Sequence, residues 1–277
     1  MQSIITLTTD FGTQDHYVGT MKGAILSVNP AAHIVDICHG GQSFDLLDGA
    51  LSIAQAYSFF PAGTIHCVVV DPGVGTARRP IVVETARHVF LAPDNGVLSF
   101  IYDREDRVAV RHITADHYFL QPVSATFHGR DVFAPVAGYL SRGTSPSVMG
   151  SLVENYVRFA TSKPRADRDK KLVGVVLKID KFGNLVTNIK SEDVSALAQT
   201  LSPSYRISVA SKEIGGLRSA FADGAAGEVF ALFGSMSLLE IVTNRGSAAR
   251  ILNAGRGTEV VVELFVDSKT EADGTGC

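Results

Sequence analysis

A seven-residue apolar run, TIHCVVV at positions 64–70, constrains the fold more than any other feature of the sequence. The run carries no charged side chain and ends at the turn-forming tripeptide Asp71-Pro72-Gly73. A continuous apolar strand is typical of a parallel sheet that is covered on both faces, because neither face of such a strand meets water. The run therefore predicts a central strand of a buried sheet.

Strand-like and helix-like segments alternate on both sides of this run. The predicted strands, from apolar and β-branched content, are 3–8, 33–37 and 64–70, with a hairpin formed by 81–84 and 88–92. The predicted helices, from apolar spacing, are 16–28, 44–60 and 131–140, the last opened by Gly129-Arg130-Asp131. This alternation predicts an N-terminal α/β sandwich with a mostly parallel sheet over residues 1–161.

The second part of the chain has a different pattern. Residues 162–171 are polar and interrupted by proline, which predicts a linker. Short strands punctuated by glycine, serine and asparagine are predicted at 172–179, 184–189, 205–209, 228–233, 238–242 and 259–265. These strands predict a smaller C-terminal β-barrel domain over residues 172–267. Residues 268–277 are predicted to be a disordered tail.

Charge and cysteine content exclude several classes of protein. The chain has 277 residues with 25 Lys and Arg against 28 Asp and Glu, a net charge of −3, and no basic block, so we expect no nucleic-acid partner. Cys38, Cys67 and Cys277 form no CxxC pair, so neither a disulfide framework nor a cysteine zinc site is expected. The uncharged stretch 49–70 reads as a buried helix and strand, and the N-terminus has no signal-peptide pattern. We therefore expect a cytoplasmic protein without a membrane partner.

Polar residues collect where predicted strands of the first domain end, which is where open α/β sheets bind ligands. Asp10 follows the first strand, and its carboxylate could accept both hydroxyls of a ribose or bond to its own turn; the spacing leaves both open. Asp71 follows the apolar run, and Arg78 could fold back to pair with it. The residues alone favour a turn aspartate beside a solvated Arg78-Arg79 pair.

His128 precedes a predicted helix that Asp131 could cap. It is either a polar group on a loop or a proton-transfer group, and the residues alone favour the polar group on a loop. The chain has no P-loop, no GxGxxG after the first strand, no GxSxG and no HExxH. The Asp10-Phe11-Gly12 tripeptide occurs without the other kinase motifs. The residues by themselves predict a two-domain protein with a polar cleft, for which nucleoside binding through Asp10 is one of two open interpretations.

The same segments resemble one family. They are TTDFGTQDHYVGTMKG at 8–23, VVVDPGVGTARRP at 68–80, FHGRDVFAP at 127–135, DKFGNLVTNI at 180–189 and GSMSLLEIVTNRGSAA at 234–249. In this order they are similar to the adenosine-forming S-adenosylmethionine (SAM) hydrolases, also called SAM hydroxide adenosyltransferases, which are related to the fluorinase and chlorinase. The resemblance implies an N-terminal α/β domain, a C-terminal β-barrel and a homotrimer that binds its ligand between neighbouring subunits.

The resemblance also implies site residues and a reaction, in which water attacks C5′ of SAM and releases methionine and adenosine. The family's catalytic Asp–Arg–His set falls on Asp71, Arg78 and His128, and its ribose-binding aspartate falls on Asp10. The remaining substrate-binding positions of the family fall on Phe182, Asn184, Ser235 and Arg245. No cofactor and no metal is implied. Met236 stands where the fluorinase has an arginine near the methionine carboxylate.

Three other functions remain as alternatives. A halogenase of the same fold is disfavoured because the halide-using relatives lack the Asp–Arg–His set. A SAM or adenosine sensor without turnover fits the same residues, and adenosine release from SAM would separate it from a hydrolase. A metal-dependent hydrolase would use His39, His128 and nearby aspartates, but no two of these share a helix-turn spacing.

Overall fold

The computed structural model describes residues 3–160, 162–167, 171–197 and 204–265, which fall into two compact units, Met1–Thr161 and Ser162–Cys277. The predicted tail at 268–277 and part of the predicted linker lie outside the described residues. Within the described ranges, no helix is long and apolar enough to cross a membrane.

Unit 1 contains a six-stranded sheet. Its strands are β1 (Ile4–Thr9), β2 (His33–Cys38), β3 (Ile65–Val69), β4 (Pro80–Glu84), β5 (Val89–Pro93) and β6 (Ala109–His112). The order is β2-β1-β3-β5-β4-β6, in which β2, β1, β3 and β5 run parallel, while β4 pairs antiparallel with β5 and β6. The mostly parallel sheet predicted from the sequence is confirmed.

Helices cover both faces of this sheet. They are α1 (Tyr17–Val28), α2 (Leu46–Ala56), α3 (Ser99–Arg104) and α4 (Ala134–Ser141). The central strand β3 shows why both faces must be covered. Cys67 and Val69 belong to the apolar cluster that contains residues of α1 and α4, whereas Val68 and Val70 belong to the cluster that contains residues of α2 and α3. All four side chains are at most 1% exposed, as the continuous apolar run predicts.

The structure corrects three local predictions in unit 1. The predicted helix 44–60 begins only at Leu46, because the carboxylate of Asp45 caps it by accepting the N–H groups of Leu47 and Asp48. The helix α3 and the strand β6 were not predicted. The predicted helix 131–140 is a π-helical turn, Gly129–Phe133, followed by α4. Asp131 therefore does not cap a helix but lies fully buried inside that turn.

Unit 2 contains an antiparallel sheet that curls into a half-barrel. Its strands are β7 (Arg165–Ala166), β8 (Lys171–Ile179), β9 (Leu185–Lys190), β10 (Ser204–Val209), β11 (Lys212–Glu213), β12 (Val229–Phe233), β13 (Leu238–Thr243) and β14 (Glu259–Phe265). The order is β11-β10-β14-β8-β9-β13-β12, with β7 paired to β8, so the strands of the described part form an open path. Two short helices, α5 (Ser191–Leu197) and α6 (Ala248–Leu252), lie beside the sheet and were not predicted.

Candidate active site

A cavity of about 310 Å³ opens in unit 1 where β1 and β3 end. Because β1 and β3 are parallel neighbours with Thr9 opposite Val69, the residues that follow them meet at one edge of the sheet. The cavity is lined by Asp10, Phe11, Tyr17, Ser43, Phe44, Val69, Asp71, Val74, Thr126, Phe127, His128 and Gly129. Its volume is in the range of small-molecule sites, about 300–1,000 Å³.

Asp71 and Arg78 form a paired unit at this cavity. Arg78 Nε donates to Asp71 Oδ1 at 2.9 Å, and Arg78 Nη2 donates to Asp71 Oδ2. The side chains are 5% and 8% exposed, so the solvated arginine favoured by the residues alone is wrong for Arg78. The guanidinium also lies 5.6 Å from the centre of the Phe133 ring. A bidentate arginine contact fixes both the charge and the orientation of the carboxylate.

The loop between the two residues folds the arginine back onto the aspartate. Thr76 Oγ1 donates to the carbonyl oxygen of Gly73 at 2.7 Å, and Gly75 has a φ of +78°. A Cβ atom at Gly75 would collide with the carbonyl oxygen of Ala125, which lies in the segment that leads to His128. The close approach of the two loops therefore requires glycine at position 75.

His128 joins the pair through its Nδ1 atom. Arg78 Nη2 lies 2.7 Å from His128 Nδ1, and because arginine has only N–H donors, Nδ1 must be the acceptor. The imidazole is then neutral and carries its proton on Nε2. Burial, together with the positive charge of Arg78, lowers the pKa of His128 below its ordinary value of 6.5, which agrees with this assignment.

Asp131 holds the segment that carries His128. Its carboxylate accepts the backbone N–H of Ser124 at 2.8 Å and is paired with the Arg130 guanidinium, whose Nε lies 2.5 Å from Oδ1. The Arg130 guanidinium lies 5.3 Å from the centre of the Phe127 ring, which lines the cavity. The Asp131 carboxylate, a possible helix cap from the sequence, thus stabilises the segment 124–131 by these buried contacts.

Asp10 lies at the cavity on the turn after β1. Its Oδ2 accepts the backbone N–H of Phe44 at 2.7 Å, so the carboxylate bonds to a neighbouring loop and not to its own turn. The contact leaves Oδ1 and the remaining lone pair of Oδ2 available for a ligand. Phe44 has a φ of 65° and is 73% exposed.

Aromatic side chains also line the cavity and were not predicted as part of the site. Phe11, Tyr17 and Phe127 pack with ring centres 5.3–5.8 Å apart, two of the contacts being edge-to-face. Phe44 adds a fourth ring. The sequence offers one signal for these residues, which is that they are aromatic and lie beside polar motifs. That signal does not identify a site, because aromatic residues are as common in cores as in sites.

The other four predicted site residues lie in unit 2. Phe182 is 75% exposed on the turn between β8 and β9, and Asn184 is 4% exposed. Asp180 organises this turn, because its carboxylate accepts the N–H groups of Phe182 and Asn184 and the Asn184 side-chain amide, at 2.8–2.9 Å. Gly183, at a φ of +87°, packs directly against Ser247, where a side chain would not fit.

Ser235 and Arg245 occupy exposed turns at the two ends of β13. Arg245 has a φ of 58° and precedes the segment that packs on Gly183. Glu240 on β13 lies against Gly234, next to Ser235, and burial together with the negative charge of Asp180 raises the pKa of Glu240. The structure thus brings Asp10, Asp71, Arg78 and His128 together at one cavity, while the other four residues belong to unit 2.

The described residues contain no group of three His, Cys, Asp or Glu side chains placed to hold a metal ion. His39 and His128, the histidines of the metal-dependent alternative, have other partners. Thr9 lies at His39 Nδ1, and Arg78 lies at His128 Nδ1.

Comparisons with known proteins identify one family over both units. Residues 5–150 match the SAM hydroxide adenosyltransferase N-terminal domain and residues 174–261 match its C-terminal domain. Curated relatives named (R)-S-adenosyl-L-methionine hydrolase are 32–38% identical. The one from Salinispora arenicola is 33% identical over 93% of this chain and 97% of its own.

More distant relatives are named fluorinase. The fluorinase of Nocardia brasiliensis is 28% identical over 94% of this chain and 97% of its own length. Among solved structures, an uncharacterized conserved protein from Thermotoga maritima superposes with a TM-score of 0.87 at 36% identity, covering 94% of this chain and 99% of that chain.

Proposed function

The chain belongs to the SAM hydroxide adenosyltransferase family, and we propose that it hydrolyses S-adenosyl-L-methionine to adenosine and L-methionine. The observation that carries the mechanism is the contact of Arg78 with both Asp71 and His128 at the edge of the cavity. This contact holds a carboxylate and a neutral imidazole in fixed orientations beside one another.

The chemistry needs few groups from the protein. The oxygen of water forms a bond to C5′ while the bond from C5′ to the sulfonium sulfur breaks, and the electron pair leaves with methionine. Because methionine leaves as a neutral thioether, the leaving group needs no acid. The protein must hold the water in line with the breaking bond, about 3–3.5 Å from C5′, and must take its proton.

We assign the proton to Asp71. His128 cannot take it at Nδ1, which accepts from Arg78, nor at Nε2, which already carries a hydrogen. Nε2–H is instead a donor that orients the oxygen of the attacking water. Arg78 keeps the Asp71 carboxylate oriented toward the same point. The proposed catalytic residues are therefore Asp71, Arg78 and His128, with different roles.

The substrate-binding residues are proposed from the resemblance together with the site. Asp10 accepts the ribose hydroxyls with the lone pairs that the Phe44 N–H leaves available. Phe182, Asn184, Ser235 and Arg245 contact the adenine and methionine parts. No cofactor is required, and the cytoplasm is the proposed location. Removing the Asp10 carboxylate tests its assignment, because Asp10→Ala deletes charge-assisted hydrogen bonds and must weaken adenosine binding.

We further propose a homotrimer in which each site is shared between subunits. Mixing Asp71→Ala chains with Asn184→Ala chains is the test, because exchange of subunits would produce some sites that lack neither residue. Recovery of activity after verified exchange is expected. A monomeric mass in solution, or no recovery, contradicts the shared site.

Incubation with SAM in oxygen-18 water tests the reaction itself. We expect equal amounts of adenosine and methionine, with the label in the 5′-hydroxyl group. A 5′-halogenated adenosine at physiological chloride would instead indicate a halogenase. Tight binding of SAM without adenosine release in a single turnover would indicate a sensor. Activity that survives a chelator would contradict the metal-dependent alternative.

A further inference from the structure

We infer that His39, which does not line the cavity, is a positioning residue that fixes the Asp10 turn for nucleoside binding. The inference rests on the proposed function, because it acts through the ribose contact assigned to Asp10. Its basis is that one buried side chain and its own carbonyl oxygen hold the turn on both sides of Asp10. His39 is 6% exposed and directly follows β2.

The contacts of His39 bracket Asp10 in the sequence. On the N-terminal side, His39 Nδ1 lies 2.8 Å from Oγ1 of Thr9, the last residue of β1. On the C-terminal side, the carbonyl oxygen of His39 accepts the backbone N–H of Gly12 at 2.7 Å. Between them, the N–H of Phe11 donates to Thr9 Oγ1 at 3.3 Å. The turn that carries Asp10 is therefore tied to the residue after β2.

The local pairing of the strands places His39 at this position. The register of β1 against β2 shifts between Leu7 and Thr8, so that Thr8 stands opposite Cys38. The next residues, Thr9 and His39, are consequently neighbours just where the turn begins. Without the shift, the side chain of His39 would not face the hydroxyl of Thr9.

The far side of the imidazole faces a carboxylate. His39 Nε2 lies 3.1 Å from Asp36 Oδ1, and Lys22 Nζ donates to Asp36 Oδ2 at 2.6 Å. The negative charge of Asp36 favours the hydrogen of the imidazole on Nε2, although Nε2 makes no aligned hydrogen bond within the described residues. Nδ1 then accepts from the Thr9 hydroxyl, while that hydroxyl accepts from the N–H of Phe11. Each group in this chain of hydrogen bonds donates to the next, from Phe11 to Thr9 to His39. The chain fixes the rotamers of Thr9 and His39.

The Asp10 carboxylate has one further anchor, the N–H of Phe44, whose side chain is 73% exposed. Loss of the His39 imidazole leaves the turn with that contact and with the backbone bond from the Gly12 N–H to the carbonyl oxygen at position 39. We therefore expect the carboxylate to sample other orientations, which lowers affinity for the ribose and leaves the groups at C5′ in place.

The test compares His39→Ala in two backgrounds. In the wild-type background, we expect adenosine affinity to fall about tenfold and KM for SAM to rise equally, with kcat within twofold. In an Asp10→Ala background, the same substitution should change adenosine affinity less than twofold. His39→Asn, which offers an amide group near the position of Nδ1, should recover most of the affinity. His33→Ala, at an exposed position of β2, is the matched control.

The outcomes separate the inference from the function on which it rests. Adenosine binding is measured by calorimetry, and by ligand-observed NMR where it is weak. If Asp10→Ala leaves the affinity unchanged, the ribose assignment fails. If Asp10→Ala weakens binding but His39→Ala does not, the positioning role fails. An equal loss in both backgrounds would make His39 merely structural. Should His39→Ala not fold, Thr9→Val, which removes the partner hydroxyl, must show the same dependence on background.

Discussion

A buried histidine at the amino end of β3 should make the stability of unit 1 depend on pH. His66 has no exposed surface, its Nδ1 lies 2.7 Å from Thr6 Oγ1, and its ring stacks on Phe90 with centres 4.9 Å apart. Burial, and to a lesser degree the charge of His88, lowers the pKa of His66 to about 3 from its ordinary 6.5. The folded chain therefore keeps His66 neutral where the unfolded chain protonates it.

The sign and size of the effect follow from this pKa difference. Below pH 6.5 the unfolded state binds the additional proton, so the free energy of unfolding falls as pH falls, down to about pH 3. At 1.36 kcal/mol per pH unit, the loss that His66 contributes reaches about 2 kcal/mol at pH 5 and is nearly zero at pH 7.5. Carboxyl groups add their own dependence, so the contribution must be obtained from a difference between variants.

The assay is urea unfolding followed by circular dichroism at several pH values between 7.5 and 5. His66→Gln lowers stability at every pH because it repacks a buried site, but its free energy of unfolding should fall by about 2 kcal/mol less over this interval than that of the wild type. His33→Gln, an exposed substitution, should keep the wild-type dependence. Parallel curves for the wild type and His66→Gln would refute the reasoning.

Three further predictions concern the site. Asp71→Asn should lower kcat by about 10²-fold or more with adenosine affinity little changed, and Arg78→Ala should have the same effect. The double variant should be no slower than either single variant, and single-turnover rates check all three. Gly75→Ala should reduce kcat and lower the melting temperature, since the new methyl group meets the Ala125 carbonyl, whereas an unchanged rate would show that the two loops separate freely. Asp131→Ala should lower stability by about 1–3 kcal/mol, measured by urea unfolding, because the Ser124 N–H loses its buried partner.

The parts of the fold that could be predicted are those in which the local pattern and the tertiary environment agree. The strand β3 is apolar because both of its faces are covered. Its apolar pattern therefore indicates directly that it lies in the centre of the sheet. The strand β6 has only four residues, two of them charged or polar, and exists because β4 offers it an edge. Nothing in those four residues shows that the edge is there.

Part of the candidate site could be predicted from the sequence for the same reason. Asp10 and Asp71 could be placed at one edge because parallel strands end together. The Asp71–Arg78 contact is only the less favoured alternative from the residues alone, because it depends on the fold of the loop, on the positive φ of Gly75 and on the Ala125 segment fifty residues away. The position of Asp131 before an apolar stretch fits a helix cap, but in the structure its carboxylate accepts the N–H of Ser124 and pairs with the charge of Arg130 instead.

The charges at the cavity connect this geometry with the reaction. Among its lining residues, Asp10 and Asp71 are the two with carboxylates, and Arg78 neutralises Asp71. With His128 neutral, this group of four carries a net charge of −1. A sulfonium substrate brings one positive charge, which the cavity balances, whereas adenosine and zwitterionic methionine bring none. When the C5′–sulfur bond breaks, the positive charge passes to the proton of the attacking water, which Asp71 takes in the proposed mechanism. The group of four is then neutral, as are the two products. A protonated His128 would cancel the negative charge before the substrate arrived. In the proposed mechanism, the Arg78 contact that keeps the imidazole neutral therefore serves cation binding as well as the orientation of water.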